Sequence, residues 1–193
     1  MLIPFANMSS IQRGYSLACA SGLYFLYTEC MAGEFNTGEP IAYFLTWTTY
    51  GTWLPGDDRG WNRKGEFENL PSNPLLVETA DARMNEDPFL LSAADRQLVE
   101  HTIGAHCEFR GWDLHAVNVR SNHAHVVVAA SAYKPDRVAS QFKAWCTRKL
   151  KAVYPSRGRY WTEGTSCRWI NTIDELEKAM EYTLEAQDRK GVE

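Results

Sequence analysis

The sequence has no long apolar run and no paired-cysteine motif. No stretch reaches roughly 18 consecutive apolar residues, the length typical of a membrane-spanning helix. The five cysteines are scattered along the chain, without a Cys-x-x-Cys pair. An odd and unpatterned set of cysteines is typical of reduced thiols. We therefore predict a cytoplasmic protein with no membrane partner.

The chain also lacks the positive net charge that is common among nucleic-acid-binding proteins. It has 20 Lys and Arg against 24 Asp and Glu, a formal net charge of −4. The distribution is uneven, because residues 131–170 hold nine cations and two anions, a net charge of +7. A local basic surface on an acidic protein still suits a polyanion. A solvated helix face would produce the same pattern, so charge alone does not decide.

Length and composition fit one globular domain that follows an extension. The 193 residues are 45% hydrophobic, which is enough for one full core. The apolar segment 17–27 faintly resembles a signal peptide, but its basic start is weak and it has no convincing cleavage site. We expect residues 1–38 to be a poorly ordered or spurious N-terminal extension and residues 39–193 to form the functional domain.

Two histidines are spaced to lie side by side on a predicted strand. His123, Ala124 and His125 precede three valines, a β-branched run typical of strands. Because side chains alternate between the faces of a strand, His123 and His125 share one face while Ala124 lies on an apolar one. Their Cβ atoms would be roughly 6.5–7 Å apart, so both imidazoles could hold one metal ion. The alternative is one half-buried structural histidine and one exposed histidine.

The remaining patterns predict an α+β fold. Ser92 and Asp95 form a variant of the helix capping box, and Pro135 favours the first turn of a second helix. The predicted ranges are 42–50 for the first strand, 56–91 for a polar loop with little regular structure, 92–111 for a helix, 112–119 and 123–129 for a hairpin, 134–155 for a basic helix, 159–170 for a strand and 174–190 for the last helix. This order indicates a ferredoxin-like antiparallel sheet with helices packed on it.

The last helix carries a tyrosine outside its apolar stripe. Leu176, Met180 and Leu184 recur every four residues and mark the buried stripe. At about 100° per residue, Tyr182 lies about 160° from both Met180 and Leu184, on the opposite face. One interpretation is an exposed or interface aromatic residue. The other is a nucleophile that the helix presents to a site on the sheet.

These segments resemble a known family. The segment 122–125 resembles the His-hydrophobic-His motif of the HUH single-tyrosine transposases, and 182–187 resembles the helix that carries their nucleophile. More specifically, residues 41–190 are similar to the REP-associated tyrosine transposases. Segments 49–57 and 161–169 resemble the end of their first strand and their Trp-Thr…Gly-Ser-x-Arg stretch. The histidine pair alone is a weak motif, but four blocks in the right order are specific.

The resemblance implies a metal-dependent endonuclease and strand transferase that acts on single-stranded DNA at a hairpin. It implies Tyr182 as the nucleophile of a 5′-phosphotyrosine intermediate, and His123 and His125 as catalytic ligands of a divalent ion. Imidazole is a better ligand for Mn²⁺ than for Mg²⁺, which prefers oxygen ligands. The resemblance does not decide which of the two ions is bound.

The resemblance also implies a third metal ligand on the tyrosine helix. In well-known members a Gln four residues after the tyrosine completes the metal site. Here that position is Ala186, and Gln187 follows it. We predict Gln187 as the third ligand if the helix end is distorted, with Glu185 as the alternative.

The basic segment supplies the predicted DNA contacts: Lys143, Arg148, Lys151 and Arg168. The expected partner is hairpin-forming single-stranded DNA, bound by a monomer or a homodimer whose tyrosine acts within its own chain or in a partner's site. One alternative function is a non-catalytic hairpin-binding protein of the same fold. A third is a small metal-dependent hydrolase that uses the histidine pair with an acidic partner and gives Tyr182 no role.

Overall fold

The computed structural model describes residues 39–62 and 69–186. The predicted extension at 1–38 and the predicted ligand Gln187 lie outside the described residues. Within these two ranges the chain forms four α-helices and one four-stranded sheet.

The sheet is fully antiparallel, and helices cover it. Its strands are β1 (Ala42–Thr48), β2 (Asp113–Val119), β3 (His123–Ala129) and β4 (Ser166–Ile170), in the spatial order β2-β3-β1-β4. The helices are α1 (Pro74–Asp81), α2 (Ala93–Arg110), α3 (Pro135–Val153) and α4 (Ile173–Glu181), and a π-helical turn at Tyr182–Ala186 continues α4. With α2 and α3 as the two connections, this is the β-α-β-β-α-β pattern of ferredoxin-like folds. The α+β prediction is confirmed.

Alternation along β1 and β3 divides the structure into layers. Leu45 and Trp47 of β1 and Val126 of β3 point to the face that α2 and α3 cover, where Ile103 and Phe142 join them in the main core. Each of these side chains is at most 2% exposed, and full burial of one is worth roughly 1.5–3 kcal/mol. The opposite face of the same strands is therefore left for α4 and for the polar side chains that alternate with this core.

Helix α4 packs on that opposite face through its predicted apolar stripe. Leu176 is buried against Val127 and Ile170 of the sheet, and Met180 and Leu184 pack around this second cluster. Thr172 caps the helix by accepting a hydrogen bond from the Glu175 N–H. The stripe fixes α4 beside the histidine strand.

Local capping signals explain where α2 begins and ends. Ser92 and Asp95 satisfy each other's backbone N–H groups in a capping box, as the sequence predicts. Gly111 ends the helix in the left-handed conformation, with φ of 65°, which glycine adopts without steric cost.

Several predicted boundaries differ from the structure, three of them in ways that matter for the fold. The polar loop at 56–91 contains helix α1, which Asn73 caps by accepting from the Leu76 N–H. The predicted strand at 159–170 is regular only over β4, and before it Trp161 forms an isolated bridge with Thr49. The first strand ends at Thr48, two residues before the predicted end.

Three of the five cysteines lie within the described residues. Cys107, Cys146 and Cys167 are free thiols. Burial raises the pKa of Cys107 and of Cys146 to about 12. Across residues 39–62 and 69–186, no helix has the length and apolar character needed to cross a membrane.

Candidate active site

A cleft of about 900 Å³ opens on the face of the sheet beside α4. Strands β1, β3 and β4 form its floor, and α4 forms one wall. The polar and aromatic groups that line it are Phe44, Thr46, Thr48, Trp53, His123, His125, Ser166, Arg168, Glu175, Lys178 and Tyr182. The cleft thus collects both predicted histidines and the predicted tyrosine.

The two histidines lie side by side on the floor of the cleft. Their ring centroids are 4.7 Å apart, with an interplanar angle of 74°. His125 lies opposite Thr46 in the β1–β3 register, and His123 lies opposite Thr48. Ala124 is fully buried on the other face. Strand alternation alone predicts this arrangement.

His125 is buried, and one of its two ring nitrogens has no hydrogen-bond partner among the described residues. It is 5% exposed, and its Nδ1 lies 2.8 Å from Thr46 Oγ1. Its Nε2 is buried and has no hydrogen-bond partner among the described residues. Burial first, then the nearby charges of His123 and Arg120, lower the pKa of His125 to about 4. The ring is neutral at pH 7, and in the tautomer whose Nδ1–H donates to Thr46 the Nε2 carries the lone pair that a metal could use.

Asn122 orients His123 in the same way. The Asn122 Oδ1 lies 2.7 Å from the Nδ1 of His123. Since a carbonyl oxygen only accepts, Nδ1 is the donor, and in the neutral ring Nε2 is the ligand nitrogen. Outer hydrogen bonds of this kind fix the tautomer of metal-binding histidines. Both imidazoles are therefore set up with Nε2 as the potential ligand atom.

Tyr182 lies beside His125 of its own chain. Its ring centroid is 5.7 Å from that of His125 and 5.9 Å from that of Phe44, both edge-on. Phe44 in turn stacks on His125 at 5.4 Å. The side chain of Tyr182 is 41% exposed, so a ligand in the cleft can reach it. On α4 it follows Glu175 and Lys178 along one face, which is separate from the buried stripe, as ideal helical spacing predicts.

The turn that carries Tyr182 is π-helical, a feature that the sequence analysis did not predict. Such single turns inside α-helices occur frequently at functional sites. Two residues hold the turn: Thr183, which is fully buried, and Asn118, whose Nδ2 donates a 2.7 Å hydrogen bond to the Thr183 carbonyl. Asn118 lies directly opposite His125 in the β2–β3 register. The available signal was a polar residue between two valines near the end of the strand.

A third metal ligand is not placed by the structure. Gln187 lies outside the described residues, and Glu185 lies in the π-helical turn. Within the described ranges no group of three or more His, Cys, Asp or Glu side chains could hold a metal ion. The buried, unsatisfied Nε2 of His125 nevertheless fits a metal that the two imidazoles share.

Of the four predicted DNA-binding residues, only Arg168 lines the cleft. The ammonium group of Lys143 donates to the carbonyls of Thr162 and Gly164, and burial lowers its pKa to about 8. Lys143 thus ties α3 to the segment before β4. Arg148 lies over the Trp145 ring at 4.6 Å.

Helix α3 packs on the face of the sheet opposite the cleft. Arg148 and Lys151 are exposed on this helix, so they are remote from the histidines. Lys178, which sequence reasoning missed, does line the cleft.

No protein-family model matches the sequence, and no curated protein does. Several solved structures are similar, and two of them are described here. One is a REP-associated tyrosine transposase bound to a REP hairpin, with 13% identity, a TM-score of 0.46, and coverage of 79% of this chain and 70% of that one. The other is a proposed transposase from Deinococcus radiodurans R1, with 13% identity, a TM-score of 0.42, and coverage of 83% and 94%.

Proposed function

We propose that this protein is a metal-dependent endonuclease and strand transferase for single-stranded DNA that forms a hairpin. One observation carries the proposal. The ring of Tyr182 lies 5.7 Å from that of His125, whose buried Nε2 has no hydrogen-bond partner among the described residues. A reachable phenol beside two oriented imidazoles is what nucleophilic attack on a phosphodiester requires.

His123 and His125 are the residues that would hold the divalent ion, Mn²⁺ or Mg²⁺, with Gln187 as the third ligand and Glu185 as its alternative. When bound, such an ion polarises the scissile phosphate and offsets its negative charge. Thr46 and Asn122 keep the ligand nitrogens facing the cleft through the hydrogen bonds at Nδ1.

Tyr182 performs the covalent step. Its phenolic oxygen attacks phosphorus, so that a phosphorus–oxygen bond to tyrosine forms while the bond to the 3′ oxygen breaks. The phenol loses its proton to solvent, and the departing 3′ oxygen takes one up to become a hydroxyl. The 5′-phosphotyrosine link keeps the phosphodiester's energy, so rejoining to another 3′ hydroxyl needs no nucleotide cofactor.

Arg168 and Lys178 orient the DNA strand. Both line the cleft, and neither forms an ion pair within residues 39–62 and 69–186. Each therefore offers its charge to a phosphate next to the cleaved bond. Because Tyr182 and both histidines meet within one chain, the protein cuts with its own tyrosine, whether it is a monomer or a homodimer.

A covalent-adduct assay tests the proposal. Purified protein meets a pool of end-labelled single-stranded hairpins drawn from the DNA that flanks its gene, with Mn²⁺ or Mg²⁺, and the mixture runs on a denaturing gel. We expect a shifted band that needs metal and disappears in Tyr182→Phe. The matched control is Tyr133→Phe, since Tyr133 is similarly exposed at 38% but lies outside the cleft.

Other outcomes would support the alternative functions. Hairpin binding without a band, under every metal condition, would identify a non-catalytic hairpin-binding protein of this fold. A metal-dependent hydrolase that His123→Ala inactivates and Tyr182→Phe does not would make the tyrosine irrelevant.

A further inference from the structure

We propose that Asn118 is a positioning residue that holds Tyr182 beside His125 through the carbonyl of Thr183. The inference rests on the proposed function for its catalytic consequence, but the geometry that it assigns can be measured without DNA.

The first argument is register. Asn118 and His125 face each other across β2 and β3, so their side chains point to the same face of the sheet. The strand pair that places the imidazole of His125 therefore also places the amide of Asn118. The same row continues to Thr46, which lies opposite His125 on the other side and bonds its ring. The same row of paired residues across the sheet therefore positions both the imidazole of His125 and, through Asn118, the helical turn that carries Tyr182.

The second argument is the hydrogen bond itself. Asn118 Nδ2 donates to the Thr183 carbonyl at 2.7 Å. Thr183 immediately follows Tyr182, and its side chain is fully buried. This bond gives the carbonyl a donor from the neighbouring strand, outside its own helix. A shift of this carbonyl would move the adjacent Tyr182.

The third argument is the unusual turn. The Thr183 hydroxyl donates to the Ala179 carbonyl at 2.7 Å, the acceptor that the Thr183 N–H would use in an α-helix. Threonine hydroxyls that bond in this way bend helices. Thr183 therefore favours departure from α-helical geometry through its hydroxyl, while Asn118 holds its carbonyl. Together they stabilise the π-helical turn that begins at Tyr182.

The test compares Asn118→Leu, which has nearly the same shape but no donor, with Asn118→Gln, which keeps the amide. Asn118→Ala serves as a second donor-free variant if leucine prevents folding, and urea unfolding checks each protein. The matched control is Asn85→Leu, because Asn85 is exposed and lies outside the cleft. Two readouts are measured: the single-turnover rate of adduct formation, and the fluorine NMR shift of 3-fluorotyrosine at position 182.

We expect Asn118→Leu to slow adduct formation on the order of 10²-fold, the cost of misplacing a reacting group by about 1 Å. Hairpin affinity and Mn²⁺ affinity should stay within about twofold, because Asn118 contacts neither ligand. Asn118→Gln should recover part of the rate. The fluorotyrosine shift, which the rings of His125 and Phe44 perturb, should move towards the free amino acid value in the donor-free variants alone.

Two results would overturn the proposal. The first is a folded donor-free variant that keeps both the wild-type rate and the wild-type fluorine shift. The second is an equal loss in Asn85→Leu, which would show a general effect on stability. If wild-type protein forms no adduct, the proposed function fails, yet the fluorine shift of the variants still decides whether Asn118 positions Tyr182.

Discussion

Replacement of Thr46 by valine should weaken metal binding through a residue that touches no metal. Valine keeps the shape and the β-branching of threonine but removes the hydroxyl that bonds His125 Nδ1 at 2.8 Å. His125 is only 5% exposed, so water cannot easily replace that partner. A buried polar group without its hydrogen bond costs about 1–3 kcal/mol.

That cost determines the size of the effect. Without Thr46 the tautomer with its proton on Nδ1, which leaves Nε2 free to bind a metal, loses the hydrogen bond that favours it. Metal binding must supply this cost, and at about 1.4 kcal/mol per tenfold the expected loss of affinity is about 10- to 100-fold. Losses of this size are typical when an outer hydrogen bond to a ligating histidine is removed.

Calorimetric titration of the metal-free protein with Mn²⁺ measures the effect, with Thr48→Val as the control. Thr48 is on the same strand as Thr46, lies opposite His123 and lines the same cleft. The Nδ1 of His123, however, is hydrogen-bonded to Asn122 and not to Thr48. The control should bind Mn²⁺ within about twofold of wild type. Unchanged affinity in Thr46→Val, or equal losses in both variants, would refute the role given to Thr46.

Three further predictions follow from the structure. A mixture of Tyr182→Phe and His125→Ala chains should form no adduct, since each chain uses its own tyrosine; restored activity would show that the tyrosine acts in a partner's site. Arg168→Gln should lower hairpin affinity and reduce by about one the slope of log affinity against log salt concentration. Arg148→Gln, on the opposite face of the sheet, should change neither quantity. Equal effects of the two substitutions in a fluorescence titration would contradict the placement of the binding surface. The free energy of unfolding should fall as pH rises from about 9 towards 12, because the Cys146 thiol, whose pKa is raised to about 12, ionises first in the unfolded chain; Cys146→Ala should show a smaller fall in urea unfolding, and an unchanged pH dependence would contradict this.

The parts of the site that local periodicity controls could be predicted. The placement of His123 and His125 on one face follows from the two-residue repeat of a strand, which tertiary packing does not alter. The separation of Tyr182 from the stripe of Leu176 and Met180 follows in the same way from the helical repeat.

The parts that depend on distant segments could not be predicted. Lys143 has the appearance of a surface cation in the sequence, but the segment at Thr162–Gly164 returns to it and offers two carbonyls. The bond from Asn118 to Thr183 spans 65 residues and depends on the register of two strands. No window along the chain contains both partners.

The α1 helix was missed for a different reason. Its segment is rich in proline and asparagine, which usually interrupt regular structure. Here Asn73 accepts at the N-cap and Pro74 occupies the first turn, where its missing N–H has no cost. The same residues that indicate a loop therefore start a helix.

The central claim is that Tyr182 becomes covalently linked to DNA, and peptide mapping tests it most directly. Protein incubated with hairpin DNA and Mn²⁺ is digested with nuclease and protease, and tandem mass spectrometry locates the nucleotide-modified residue. The account predicts one modified peptide, with a 5′-linked nucleotide on Tyr182, which disappears when metal is chelated. A modification on another residue, or hairpin cleavage by wild-type protein with no protein-linked nucleotide, would contradict it.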